Sequence, residues 1–565
     1  MLFETFARII PAVEAKLQNF SRRTILFSLA AGVIFLSLFF LFPSPVEFAM
    51  DDAYIHLMYA QNLADHGRLF FSYPDEVGLA TSSPLWVFLL AGGIILGVPG
   101  VLAAKILGIG SLIALAAGLF FLLEPFWPRW KSLIATLLVL FTGNVLWFSL
   151  SGMETTLFLA LGVTALLLYR AGRFGWLGFA LGLLILVRPE GLALALALGL
   201  ADLVARRRLT RDLVLAAAIA ILISLPWFVY LEMRTGDFLP TSASGKQFST
   251  MQAMKYFVEN YHFPPFLQNF SGLLYPFMWV VYLLEFVLGG ISLPAPRISV
   301  NGASTLSVDL SLWAIPAVML FLWLIMQAGN RFFNRARWSA WVRAETTRVF
   351  LILFLWVLVH NLVYMVFLPM PGTATRYGAV NYIVLWLAIV GGLSALSTKP
   401  HMQSVALLAI LFVGVCNLVY WNRVYDANIE HMQNVRITAA EFIRDEMPED
   451  VCAAFDIGAL RYFGERPIVE IAGLIDTEAD QWVNAGTVDQ YLQAHDVTCL
   501  VVPGRAGHSS EGVYDIANIL KLDSSPLFDL EYVNAFEIDR ARWLLGYLPT
   551  ANYQASVAIY RLDYK

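Results

Sequence analysis

The sequence predicts a mainly α, polytopic membrane protein of about 11 transmembrane helices (roughly 10–13) followed by a C-terminal α/β domain. Three observations predict this class. Of 565 residues, 59% are hydrophobic and 14% charged, against roughly 45–50% and about 25% in soluble globular chains; mean hydropathy is +0.67. Many apolar runs approach the ~20 residues that cross ~30 Å of hydrocarbon. The C-terminal quarter, Tyr425 to Lys565, has no such run and holds 23 acidic against 10 basic residues, whereas the rest of the chain is net positive. A soluble cytosolic enzyme and a disordered chain are excluded. Three cysteines exclude a disulfide scaffold and a multi-cysteine metal cluster.

Lysines and arginines in short loops orient the spans. Basic clusters stand at Arg8/Lys16/Arg22/Arg23, Arg129/Lys131, Arg170/Arg173, Arg206/Arg207/Arg208/Arg211 and Arg331/Arg335/Arg337/Arg343/Arg348, with Lys399 alone. Placing them all in the cytoplasm requires spans at about 24–42, 101–123, 132–150, 155–169, 174–187, 190–205, 212–231, 311–327, 348–368, 378–396 and 402–421. The N-terminus is then cytoplasmic, and the first external loop covers about 43–100. Two apolar stretches, about 84–98 and 270–292, would invert the basic loops if they spanned, so they are read as juxtamembrane or re-entrant. The first apolar run is too long, and lacks the small-residue cleavage site, for a removable signal peptide.

The chain divides into residues 1–423, a membrane module, and 424–565, a soluble extracytoplasmic domain. Within the latter, runs around 451–455, 467–471, 498–502 and 555–560 alternate or cluster in β-favouring residues between helical stretches, the pattern of a small α/β unit. Cys452 and Cys499 fall on two of these strands. Core thiols are the default reading, and a disulfide is the alternative.

Ionisable residues at a membrane edge are costly, so each is a functional candidate. Under this topology Asp51, Asp52, Glu154, Arg188, Glu190, Asp237, Lys246 and Arg376 all reach the external face. A helix over 53–66, ended by Gly67, follows the acid pair. One of Asp51 and Asp52 serves as an ordinary N-cap; the second needs another reason, as a general base or as part of a divalent cation site. Glu154 has a bland reading as a helix-start acid, and Arg188 and Glu190 as a pair in a turn. Arg376 has one as a snorkelling side chain, and Lys246 as a solvated loop lysine. Their functional reading is a single external cavity in which Arg188, Arg376 and Lys246 neutralise phosphate. His56 is read as a packed histidine and Cys416 as packing. Gly108, Gly110, Gly391 and Gly392 are read as close helix contacts.

The motifs Asp51-Asp52-Ala53-Tyr54-Ile55, Thr81-Ser82-Ser83-Pro84-Leu85-Trp86, Ser151-Gly152-Met153-Glu154-Thr155 and Arg188-Pro189-Glu190-Gly191 occur in this order. They are followed by Gly236-Asp237-Phe238-Leu239-Pro240 with Lys246, Thr375-Arg376-Tyr377, and Asp456-Ile457-Gly458-Ala459-Leu460 through Ala472-Gly473-Leu474-Ile475-Asp476. Together they resemble the polytopic GT-C glycosyltransferases, in particular the group around the mycobacterial terminal arabinofuranosyltransferase. The pattern departs from those relatives by an extra serine at 82–83 and by Thr241 where they carry asparagine, so arabinose is not carried over.

The resemblance implies a helical membrane module, two juxtamembrane helices in the first external loop, and a polyprenyl-phosphate-linked sugar donor. It implies an acceptor that is a glycan, glycolipid or protein outside the inner membrane of a bacterium, with no nucleic acid involved. Asp51 becomes the expected base, with Asp52 beside it. Glu154, Arg188, Glu190, Lys246, Arg376, Tyr377, Tyr54 and Trp86 become expected substrate contacts, the aromatics by stacking on sugar faces. No cofactor is required; a divalent cation on Asp51 and Asp52 stays open. The rivals are a lipid-linked glycan transporter or flippase, and a polysaccharide polymerase or ligase. A transporter would favour internal repeats and midplane charges, whereas these charges lie at one external edge.

Overall fold

The computed structural model describes residues 12, 15–17, 19–42, 44–72, 81–236, 238, 279, 297–301, 305–309, 314–332, 344–368, 372–397, 399–473, 475, 477–504, 517, 520–550 and 555–565. Six described helices are long and apolar enough to cross a membrane: Arg22–Leu41, Gly100–Leu123, Arg211–Thr235, Arg348–Phe367, Thr373–Leu396 and Pro400–Glu446. A seventh span is made if Arg129–Leu140 and Gly143–Leu150, bent by 60° at their junction, count as one. Among the described residues the expected count of 11 is therefore not confirmed. The segments at 155–169 and 174–187 do form helices, Thr155–Arg170 and Phe174–Val187. They have 16 and 14 residues, short of the roughly 17–25 that a span needs. Pro84–Ile95, demoted on charge grounds, is a 12-residue helix. The stretch 270–292 lies outside the described residues except for Trp279.

Close packing replaces hydrophobic partition as the force between apolar helices. At Gly108, on Gly100–Leu123, a Cβ would lie 1.8 Å from the carbonyl oxygen of Ser149, so only glycine lets the Gly143–Leu150 helix approach that closely. Between the first two long apolar helices, Asp52–His66 ends at Gly67 with φ 69, the left-handed closure that glycine adopts without steric cost. This helix packs against Pro84–Ile95.

The Pro400–His431 helix carries the chain out of the apolar body, through a π-helical turn at Met432–Ile437, into Thr438–Glu446. Beyond it lies a five-stranded sheet. Its strands are β3 (Cys452–Ala454), β4 (Val469–Glu470), β5 (Cys499–Pro503), β6 (Phe528–Glu537) and β7 (Ser556–Tyr564), following a separate hairpin of β1 (Arg297–Asn301) and β2 (Thr305–Asp309). The order is β4-β3-β5-β7-β6. β4, β3 and β5 run parallel, and β7 and β6 are antiparallel additions. β5 is buried at all five residues, as a central strand with both faces covered must be. Cys452 and Cys499, paired in register, form a disulfide, which corrects the default reading of free core thiols.

Candidate active site

The segment between the helices Arg22–Leu41 and Gly100–Leu123 is held by Lys105. This lysine sits inside an apolar helix and is 1% exposed. Its ammonium donates to the carbonyls of Glu47 (2.7 Å) and Leu150 and to the hydroxyl of Tyr425 (2.8 Å). Three donors meet three acceptors, the full capacity of the group. Two of those carbonyls immediately precede the segments that carry Asp51–Asp52 and Glu154.

Asp51 occupies the N-cap position of Asp52–His66, with φ −63 and ψ −45, and makes no capping bond of its own helix. An N-cap side chain reaches back only from extended backbone; here the backbone is already helical. The carboxylate instead accepts from the backbone N–H groups of Gly458 and Ala459, each at 2.8 Å. It thereby joins the start of Asp52–His66 to the helix Gly458–Gly464 beyond β3. A Cβ at 458 would lie 2.2 Å from the Asp51 carbonyl oxygen, so glycine is required there. Arg436 approaches Asp51 at 3.9 Å and Asp456 at 2.7 Å. Asp51 is 4% exposed. Burial pushes its carboxyl up to about 6, against the pull of Arg436 and the two amides, with Asp456 adding to the rise.

Asp52 faces the other way. Its carboxylate pairs with Arg376 at 2.6 Å and keeps 28% side-chain exposure. Arg376 also donates to Met50 Sδ and lies over the ring of Tyr377. Ala374 and Thr375, just before it, both have positive φ (54 and 63). Such conformations cost about 1–3 kcal/mol each in non-glycine residues and persist where surrounding structure enforces them. Asn144 supplies that enforcement: it donates to the Thr375 hydroxyl at 3.2 Å and the Tyr382 hydroxyl at 2.6 Å, and Thr375 and Tyr382 bond each other at 2.7 Å.

Arg188 also lies over Tyr377, its guanidinium 5.1 Å from the ring centroid. It pairs with Glu154 at 3.2 Å and Glu190 at 2.9 Å and donates to the Tyr364 hydroxyl at 3.0 Å. Tyr364 also bonds Glu190 and stacks on Tyr377 at 5.1 Å. His56 stands 3.6 Å from Glu154, and His360 bonds the Tyr377 carbonyl.

The structure thus brings Asp52, Arg376, Tyr377, Arg188, Glu154 and Glu190 into one continuous cluster. Asp51 adjoins it through the chain but faces the C-terminal sheet unit. Tyr54 is buried; its hydroxyl donates to Glu47 at 2.6 Å and its ring packs on Tyr462 and Phe463. Trp86 is buried and donates to the Gly152 carbonyl at 2.9 Å. Lys246 and Asp237 lie outside the described residues. Among the described residues there is no group of three or more His, Cys, Asp or Glu that could hold a metal ion. Lys105, Tyr364, His360, Asn144 and Arg436 were not singled out from the sequence. A lysine within an apolar run was the available signal for Lys105; the others are ordinary polar residues until the fold gathers them.

ArnT from Cupriavidus metallidurans is similar in structure, with TM-score 0.53 and 13% identity over 95% of this chain and 97% of that one. The Archaeoglobus fulgidus oligosaccharyltransferase, determined with a tethered acceptor peptide, gives TM-score 0.52 and 13% identity over 90% of this chain and 73% of its own. A family model described as a domain of unknown function (DUF8728) matches residues 427–560. No curated protein sequence matches the chain. The chain has the GT-C fold.

Proposed function

We propose that this protein is an integral-membrane glycosyltransferase that moves a sugar from a polyprenyl-phosphate donor to a glycan, lipid or protein acceptor outside the membrane, in cell-envelope biosynthesis. The observation that carries the reading is the Asp52–Arg376–Tyr377–Arg188 cluster beside Asp51. It places acids and guanidinium groups from distant parts of the chain at one place, on a GT-C fold. Residues 1–423 form the membrane module and 424–565 an external domain in this reading. The N-terminus is cytoplasmic and the site faces the periplasm or cell exterior. The Cys452–Cys499 disulfide supports that side, since disulfides persist in oxidising compartments.

In the reaction, the acceptor hydroxyl oxygen attacks the anomeric carbon while its proton passes to Asp51. The bond from that carbon to the donor phosphate breaks, and the electron pair leaves with the phosphate. Asp51 suits the base role because burial brings its carboxyl near 6, close to the pH at which a base works best. Each of its oxygens accepts one amide, and the amides fix its direction. Arg376 offsets the charge on the departing phosphate. Asp52 holds that guanidinium in place until the phosphate takes it. Arg188 is held by two carboxylates and acts by keeping Tyr377 and Glu154 in position. Lys246 is a further phosphate contact, and Tyr377 a sugar-facing aromatic. Tyr54 and Trp86, by their burial, support the loop.

The test is donor consumption by the full chain in nanodiscs, offered a panel of polyprenyl-phosphate sugars and a crude envelope-glycan acceptor. Wild type is expected to consume one donor, and Asp51→Asn, folded, to be slower by about 10²–10⁴-fold. Folded wild type that consumes none of them, or a variant that keeps the wild-type rate, would overturn the reading or the base respectively.

A further inference from the structure

Arg461 lies on the helix Gly458–Gly464, the one whose first amides hold Asp51. It is 9% exposed, and its Nε is buried with no hydrogen-bond partner. Among the described residues no carboxylate pairs with it. The neighbouring acids are already engaged: Arg436 takes Asp456 and approaches Asp51, and the Gly458 and Ala459 amides take the Asp51 oxygens. The other faces of the helix are accounted for as well. Tyr462 and Phe463 pack on Tyr54, and Leu460 lines a small cavity with Arg436 and Asp456. Arg461 stands three residues after Gly458, so it follows on the same side of the helix one turn along, on the side where Gly458 meets the Asp51 backbone.

A guanidinium whose Nε is buried without a partner or counter-charge is expensive, and its planar fork of donors matches a carboxylate or phosphate. We propose that Arg461 binds an oxyanion, a carboxylate or phosphate, carried by the acceptor, at the seam between the Gly458–Gly464 helix and Asp51. This deepens the transferase reading and rests on it. The donor phosphate belongs to Arg376 on the far side of the acid pair. An acidic acceptor held by Arg461 would present its hydroxyl to Asp51 from the side of the C-terminal unit.

The experiment measures the apparent Tm of the full chain in nanodiscs, in chloride buffer free of phosphate. The probes are glucuronate, decaprenyl phosphate and, as the neutral control, glucose. Ligand-free Arg461→Met should melt no lower than wild type, because it removes an uncompensated charge. Glucuronate should raise wild type by roughly 2–4 °C, glucose should not, and the shift should vanish in Arg461→Met and partly survive in Arg461→Lys. Arg376→Gln should keep the glucuronate shift and lose the decaprenyl phosphate shift, which separates this inference from the donor assignment. Equal glucuronate shifts in wild type and Arg461→Met would overturn the proposal. A wild-type response to decaprenyl phosphate alone would also overturn it, by moving Arg461 to the donor. Should Arg461→Met not fold, the comparison of wild type with Arg461→Lys carries the test, and an unchanged shift in the lysine variant together with an equal response to glucose overturns the proposal.

Discussion

Two guanidinium groups lie over the Tyr377 ring, 5.1 and 5.2 Å from its centroid, in unlike surroundings. Arg188 is closed in by two carboxylates and a tyrosine hydroxyl. Arg376 has one carboxylate, from Asp52, which keeps more than a quarter of its surface open. A cation whose charge is fully answered by the protein is part of the scaffold. One held by a single, partly solvated acid is able to exchange that acid for a ligand oxyanion. In the proposed function this difference separates a positioning arginine, Arg188, from the one that meets the donor phosphate, Arg376.

The comparison breaks most visibly in stability and activity. Arg376→Gln should lower kcat/KM by about 10²–10³-fold, the scale of losing one positioned charge donor, with Tm little changed. Arg188→Gln should do the reverse first. It leaves Glu154 and Glu190 buried without their cation, at a cost of about 3–5 kcal/mol, read as a collapse in Tm or in yield of folded protein. Equal loss of Tm in the two variants would remove the distinction.

The pH dependence of the acid pair sharpens it further. In the proposed base role Asp51 must be ionised, so kcat/KM should rise about tenfold per pH unit below 6 and level off above, in step with a carboxyl raised to about 6. The stability sign is opposite. A carboxyl raised on folding makes the native state bind more protons, so its contribution is largest below the ordinary aspartate pKa and is lost as pH rises through about 6. The Tm of wild type minus that of Asp51→Asn should therefore fall between about pH 4 and 6 and stay constant above. A difference that rises over that window would contradict the burial of this carboxylate.

The smallest expected effect on catalysis is at Lys105. Lys105→Met leaves the Glu47 and Leu150 carbonyls and the Tyr425 hydroxyl without their donor, each an unmet buried group worth about 1–3 kcal/mol. Slackening the two segments that bear Asp51 and Glu154 should lower kcat about tenfold with KM for donor little changed. A variant with unaltered kcat would confine Lys105 to packing.

Composition and hydropathy were enough to read a membrane-embedded helical body and an acidic C-terminal unit, because the solvent that each segment prefers is written in its own side chains. The β3, β4, β5 and β7 segments were legible for the same reason: their alternation and β-branched content are local. β6 was missed. It is an edge strand of mixed burial, and its pairing with β7 rather than its own pattern makes it a strand. The described residues account for six or seven of the eleven expected spans, because apolar length alone does not separate a crossing helix from a short one buried among its neighbours.

The sequence by itself also determined which charges would be exceptional, since Asp51, Asp52, Glu154, Arg188, Glu190 and Arg376 stand at the ends of apolar runs where an ion is costly. Only the tertiary structure decided which partner each one has. Asp51 and Asp52 are adjacent in the chain, yet a helical turn sends their carboxylates to different partners, one to the amides of residues some four hundred positions away and one to Arg376. Pairing energies depend on distance and burial, and both are set by packing between segments that the linear order keeps apart.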